Sequence, residues 1–370
     1  MQELLNRFHQ IAANPKKQKD ALISAGKKIV LTAPYYTPNE IIHSMGFVPF
    51  GAWGGDMQLQ RAKEYFPAFI CSIAQSIVEL GVKGSYNGAS ALVVPSLCDS
   101  LKCIGENWKY AVQQIPFIPM VYPQNRKGAP GLEFCKASYQ RVISDLERAT
   151  GAKYNEESLK KSINAYNEHN AAMRKLGEVL ALHPEVSAAA RNDVYKSAYF
   201  MEVSEHTAMV LELIKELEAA PKSSVSKIPI MLSGILCDSP SLLEILDSLS
   251  YHVVADDVAA ESRQYRTDAP TGGPALEALA KKFADMDNCS VLYDVDKKRA
   301  DLIVNTVQKL KAKGVVVVLT KFCDPEEFDY VIIKKACQAK GIPLLLIEVD
   351  RQMTNYEQAR TALETFRDVI

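Results

Sequence analysis

A chain of 370 residues with 48% hydrophobic content is long enough for two or three cores and is ordinary for a globular protein. Its formal net charge of −1 leaves no electrostatic footprint for nucleic acid or an anionic membrane, and basic runs such as Lys16-Lys17 and Lys297-Lys298-Arg299 are diluted by acids. The opening Met1-Gln-Glu-Leu-Leu lacks a basic region followed by an apolar core, and no apolar run approaches the roughly 20 residues that cross a bilayer, so a cytoplasmic chain is expected.

The first part of the chain alternates strand and helix signals. Lys28–Ala33, Phe47–Phe50, Ala91–Pro95 and Pro116–Tyr122 are short apolar runs separated by helical stretches, the pattern of parallel strands joined by crossover helices. From about Ala137 to Ala220 the character changes. Tyr139, Val142, Ile143 and Leu146 fall at i, i+3, i+4 and i+7, as do Val210, Leu213, Ile214 and Leu217, which predicts helices. Pro221–Ser226 collects turn formers and reads as a linker. Strand runs then resume at Ile228–Leu232, Tyr251–Val254, Ser290–Tyr293, Gly314–Leu319 and Pro343–Ile347. The expectation is an α/β protein with two doubly wound, Rossmann- or flavodoxin-like parallel-sheet domains, residues 1–136 and 227–370, joined by a helical region, residues 137–220.

Eight cysteines in a chain without a secretory leader point to a reducing compartment, where thiols act as ligands, nucleophiles or small core residues. Three stand out. Cys71 follows Pro67 and opens the stripe Ile73, Ile77, Leu80. Cys98 lies just past the strand-like Ala91–Pro95, and Cys323 lies between the strand-like Gly314–Leu319 and Asp324-Pro325-Glu326-Glu327. That last run is a helix start, with Asp324 as the expected N-cap. Each cysteine therefore sits beside a helix amino end, where partial positive charge favours a thiolate, and two lie beyond strand carboxyl ends, where open α/β sheets hold ligands. Gathered by the fold, they form one soft-metal site of the iron-sulfur kind, at the interface of the two domains. The competing reading is core, since free cysteine is among the most buried residue types, and Cys135, Cys237, Cys289 and Cys337 are assigned to it. Cys103, separated from Cys98 by four residues, is the less favoured ligand because it falls a full turn into the helix. A zinc site is disfavoured by the lack of a Cys-x-x-Cys or a nearby His pair.

Several motifs make the chain resemble a known family: Pro38-Asn-Glu-Ile-Ile-His-Ser-Met-Gly46, Tyr65-Phe-Pro-Ala-Phe-Ile-Cys71, Leu97-Cys98-Asp99, Pro123-Gln-Asn-Arg-Lys127, Val254-Ala-Asp-Asp257, Lys321-Phe-Cys323-Asp-Pro-Glu-Glu327 and Glu357-Gln-Ala-Arg-Thr361. Nearly end to end, it resembles the beta subunits of (R)-2-hydroxyacyl-CoA dehydratases from amino-acid-fermenting anaerobes, in the superfamily of 2-hydroxyglutaryl-CoA dehydratase and benzoyl-CoA reductase. The resemblance implies a lyase acting as a heterodimer with a homologous alpha subunit. It implies one 4Fe-4S cluster per chain, held here by Cys71, Cys98 and Cys323, and it leaves a flavin in the complex open. It implies syn elimination of water from the 2-hydroxyacyl-CoA through a ketyl radical, giving the (E)-2-enoyl-CoA. The substrate would lie mainly at the alpha subunit, the cluster of this chain would relay or store the electron, and an ATP-dependent activator with its own iron-sulfur cluster would supply it. No catalytic side chain is assigned to this chain on that basis. The alternatives are a subunit of a benzoyl-CoA-reductase-type aryl-CoA reductase and a non-catalytic cluster carrier. The chain has no Gly-x-x-x-x-Gly-Lys-Ser/Thr phosphate loop and no Gly-x-Gly-x-x-Gly loop of its own, so neither ATP nor NAD is expected to bind here. Glu40 and His43 read as a surface pair, Glu205-His206 as a helix cap, Asp256-Asp257 as a turn or a ligand contact, and Arg263 and Arg266 as solvated.

Overall fold

The computed structural model describes residues 1–370 apart from Pro34 and Lys222. The chain opens with α1 (Gln2–Ala13) and α2 (Pro15–Ser24), then runs through β1 (Lys28–Thr32), α3 (Asn39–Ser44), β2 (Phe47–Gly51), α4 (Ser72–Val82), β3 (Ala91–Pro95), α5 (Asp99–Ala111) and β4 (Phe117–Met120). Four helices follow: α6 (Ala129–Thr150), α7 (Glu156–Leu180), α8 (Ala188–Ser197) and α9 (Val203–Ala219). The remainder is β5 (Ile228–Gly234), α10 (Pro240–Ser248), β6 (Tyr251–Val258), α11 (Ala275–Asp285), α12 (Arg299–Leu310), β7 (Gly314–Thr320), α13 (Asp324–Ala339), β8 (Leu344–Val349) and α14 (Glu357–Val369). No described helix is long and apolar enough to cross a membrane.

Two four-stranded parallel sheets result, ordered β2-β1-β3-β4 and β6-β5-β7-β8. The α/β fold with two doubly wound sheets is therefore as the alternation of strand and helix signals predicts. The two orders are the same, an internal repeat that no sequence periodicity displays. In each sheet the chain runs outward from the first strand, then returns past it to build the third. The switch point lies between β1 and β3 in one sheet and between β5 and β7 in the other, which is where such folds place their ligands. Strands covered on both faces are apolar throughout: Val315 to Val318 in β7 are all buried.

Gly234 ends β5 at the second switch point with φ +151°, and a Cβ there would stand 2.3 Å from the Val318 carbonyl oxygen. Only glycine lets the two central strands approach so closely. The middle helices have their own core, in which Leu176, Val194, Val210 and Leu213 pack with Leu4, Leu5 and Phe8 of α1. Asn155 caps α7 by accepting from the Ser158 amide, and Gly151 closes α6 in the left-handed conformation.

Ser290–Tyr293 is not a strand. It is a turn between α11 and α12. Its apolar character reflects burial without a ladder, for Val291 and Leu292 sit in the core while Arg126 donates to the Tyr293 carbonyl and Ser290 donates to Glu326. The described residues of Pro221–Ser226 form no helix or strand, and Lys222 lies outside the described residues.

Candidate functional site

Cys71, Cys98 and Cys323 each occupy the N-cap position of a helix, respectively α4, α5 and α13. The expected cap Asp324 is instead the first residue of α13, with Cys323 before it. Cys98 follows β3 and Cys323 follows β7, so the two stand at equivalent positions of the two sheets, each at a switch point. Cys71 arrives on the long connection from β2 to α4. The three line one cleft, with about 480 Å3 of empty space, together with Tyr35, Ile73, Ile77, Leu101, Ile235 and Phe322. Cys103 is exposed and away from it, and Cys135, Cys237, Cys289 and Cys337 are buried elsewhere. All eight cysteines are free. Among the described residues no group of three or more His, Cys, Asp or Glu converges tightly enough to hold a single metal ion.

The electrostatics of the thiols differ from the expectation of ready thiolates. Burial pushes the Cys71 thiol up, Cys98 up to about 11, and Cys323 well above its ordinary value. The helix amino ends act in the expected sense, since the amides of Ala74 and Ile73 face Cys71, those of Leu101 and Ser100 face Cys98, and that of Glu326 faces Cys323. Desolvation of a charge in an apolar cleft outweighs these partial charges, and the neighbouring thiols add to it at Cys98 and Cys323.

Several residues that hold this arrangement carry no sequence signal as a site. Tyr35 follows β1 at the first switch point and lines the cleft with Cys98; burial, then the nearby thiols, keep its phenol protonated. The carboxyl-end rule that singles out Cys98 applies to it equally. Arg351, just past β8, ties the connection bearing Cys71 to the second sheet. Its backbone N–H donates to Ser72 Oγ, its carbonyl accepts from the Met57 amide, and its guanidinium donates to Asp56, Asp238 and the Trp53 carbonyl. Burial raises the Asp238 carboxyl, but Arg351 and Lys196 together hold it below the ordinary carboxylate range.

Below Cys323, Glu326 in the first turn of α13 accepts from Ser290, Arg263 and Arg299, and the two arginines also pair with Asp257. Arg263 is thus a buried structural cation, not a solvated one, and Arg266 is half-buried on Asp257. Asp256 and Asp257 lie within β6 and serve ion pairs, Asp256 with Arg191 and Asp257 with Arg263, Arg266 and Arg299, so they do not form a turn. Glu40 and His43 are not a surface pair: Glu40 is buried against Lys282 at 2.6 Å, and His43 bonds Ser162 and Glu202. Glu202, and not Glu205, caps α9, while His206 is buried.

The sequence matches the family described as 2-hydroxyglutaryl-CoA dehydratase, D-component, over residues 34–370. It is 42% identical to the (R)-phenyllactyl-CoA dehydratase beta subunit of Clostridium sporogenes, over all of this chain and 99% of that one. It is 36% identical to the lactoyl-CoA dehydratase subunit beta of Anaerotignum propionicum, with the same coverage. A benzoyl-CoA reductase subunit of Thauera aromatica stands farther off, 22% identical over 93% of this chain and 91% of that one. Length, motif order and similarity agree across the whole chain, which belongs to the 2-hydroxyglutaryl-CoA dehydratase D-component family.

Proposed function

We propose that this chain is the beta subunit of an (R)-2-hydroxyacyl-CoA dehydratase and that Cys71, Cys98 and Cys323 hold one 4Fe-4S cluster. The observation that carries the reading is the convergence of three cysteines from three distant segments, all helix N-caps, on one cleft at both switch points. An all-sulfur donor set suits iron-sulfur chemistry. A four-iron cubane gives each cysteine an iron of its own, so it asks for thiols around a common void, not thiols meeting at one point. The raised thiol pKa values fit as well, because the cationic iron-sulfide core of a cluster would stabilise thiolates that burial otherwise disfavours. When bound, the cluster supplies one-electron chemistry, here the relay or storage of the electron that starts a ketyl-radical elimination of water.

The chain's own residues bind and insulate. The amides at the starts of α4, α5 and α13 and the Tyr35 hydroxyl face the sulfurs, an arrangement that sets the potential of such a site. Ile73, Ile77, Leu101 and Ile235 limit water, and Arg351 fixes the segment bearing Cys71 against the sheet bearing Cys323. The naming of the relatives as beta subunits supports a heterodimer with an alpha partner, where the 2-hydroxyacyl-CoA substrate binds, and an ATP-dependent activator completes the system. Eight free thiols fit a reducing, cytoplasmic setting.

The test is anaerobic coexpression with the alpha partner and activator. Dehydratase activity is expected, lost in Cys98→Ala; activity that survives this change contradicts the relay role. The similarity to a benzoyl-CoA reductase subunit supports a second reading, in which electrons are consumed once per turnover instead of recycled, and counting electrons per product separates the two.

A further inference from the structure

An edge strand leaves a row of backbone N–H and C=O groups open to any extended chain that reaches it, and folds close such edges with proline, charge or a covering element. In the first sheet both edges are closed. β2 and β4 carry Pro49 and Pro119 at positions that face away from the neighbouring strand, so each free side lacks a donor. In the second sheet β6 packs against α7 and α8. β8, which reads Leu-Leu-Leu-Ile-Glu-Val, has no proline, and its three leucines are only half-buried. We propose that β8 is an interface with a second copy of this chain, the two strands pairing antiparallel about a twofold axis at Leu346 so that two four-stranded sheets become one. The inference uses none of the three cysteines and stands apart from the cluster reading.

The backbone fixes the register. The carbonyls of Pro343 and Val349 accept from the amides of Val315 and Lys321, so every second residue between them faces β7. The N–H and C=O groups of Leu344, Leu346 and Glu348 therefore lie on the free side, with no partner among the described residues. This row is symmetric about Leu346. Turned antiparallel against its own copy, it sets Leu346 opposite Leu346 and Leu344 opposite Glu348, and every free donor meets a free acceptor. Beside the strand runs a groove with about 1110 Å3 of empty space, in which Leu346, Met353, Ala359 and Ala362 offer apolar surface to the incoming copy.

Charge selects the antiparallel copy. Lys340 is exposed at the amino end of β8, and Lys313 is exposed next to it at the start of β7. Glu348 is exposed at the carboxyl end, with Asp350 half-buried just beyond. No ion pair among the described residues takes up any of these four charges. Lys321, at the acidic end, lies over the Phe322 ring at 5.4 Å. An antiparallel pair brings the acidic end of each strand to the basic end of the other, whereas a parallel pair sets like against like. A twofold contact of this kind closes on itself, so it gives a dimer and not a fibre.

Sedimentation velocity of the full chain, alone and with its alpha partner, from about 1 to 100 μM tests this. Particles with two copies of this chain are expected in both cases. Leu346→Pro removes a donor that the ladder with β7 does not use, as Pro119 does in β4, so the fold is retained and the dimer is expected to weaken about tenfold or more. Glu348→Lys alters only an exposed side chain and keeps the test open if the proline variant fails to fold. It is expected to weaken the dimer about fivefold or more, and adding Lys340→Glu to recover most of that loss. One copy per particle up to about 100 μM in both cases, undiminished pairing in folded Leu346→Pro, or a double variant as weak as Glu348→Lys would each overturn the proposal. A dimer that the alpha partner separates into single heterodimers would assign the edge to that partner and overturn it as well.

Discussion

Arg351 sits where the connection bearing Cys71 meets the second sheet, and its value lies in what it holds. Asp238 is buried, and without Arg351 only Lys196 at 3.0 Å remains beside it. Removing one partner of a buried pair strands the other charge, so Arg351→Met is expected to destabilise the chain by about 3 kcal/mol, read from its denaturant midpoint. Adding Asp238→Asn is expected to recover part of that loss, and full additivity of the two changes would contradict the coupling. Nothing at Arg351 is legible in the sequence, because a buried arginine and a solvated one have the same local pattern, and the burial of Arg263 is hidden for the same reason. The three cysteines are legible because a helix start leaves a local signal, whereas the carboxylates that neutralise an arginine come from distant segments.

At the scale of elements, the close approach of β5 and β7 rests on Gly234. Gly234→Ala is expected to cost about 2–4 kcal/mol through a clash with the Val318 carbonyl and a disallowed φ, with a matching fall in the midpoint; a loss under about 0.5 kcal/mol would contradict the tight contact. The pairing of α7 with α9 carries a pH dependence. His206 is held down to about 4 by burial, from an ordinary 6.5, and His169 is lowered in the same way. The unfolded chain therefore takes up protons first as pH falls. Stability is fully present above pH 6.5 and is lost between 6.5 and about 4, by up to about 3 kcal/mol for His206. The buried carboxylates of Asp238 and Asp257, also held low, lose their contribution only in more acid solution, below the histidine range. A flat profile from pH 6.5 to 4.5 would contradict their burial as neutral groups. Strands and helices are largely readable from apolar runs and periodicity. Ser290–Tyr293 is the exception, because an apolar run records burial, and burial does not require a strand partner.

For the whole molecule, the organising fact is that two sheets of the same order turn their switch points toward one cleft. The repeat is a repeat of topology and not of residues, which is why the sequence hides it while still displaying Cys98 and Cys323 in similar settings. Cys71 completes the set from a connection whose path depends on Arg351 and on the packing of both sheets, information no local window contains. The central claim, one cluster held by these three cysteines, is tested most directly by iron and acid-labile sulfide per chain after strictly anaerobic purification of wild type and Cys323→Ala. The account predicts about four of each in wild type and a sharp fall in the variant. Iron near zero in wild type after reconstitution, or an undiminished content in Cys323→Ala, would contradict it.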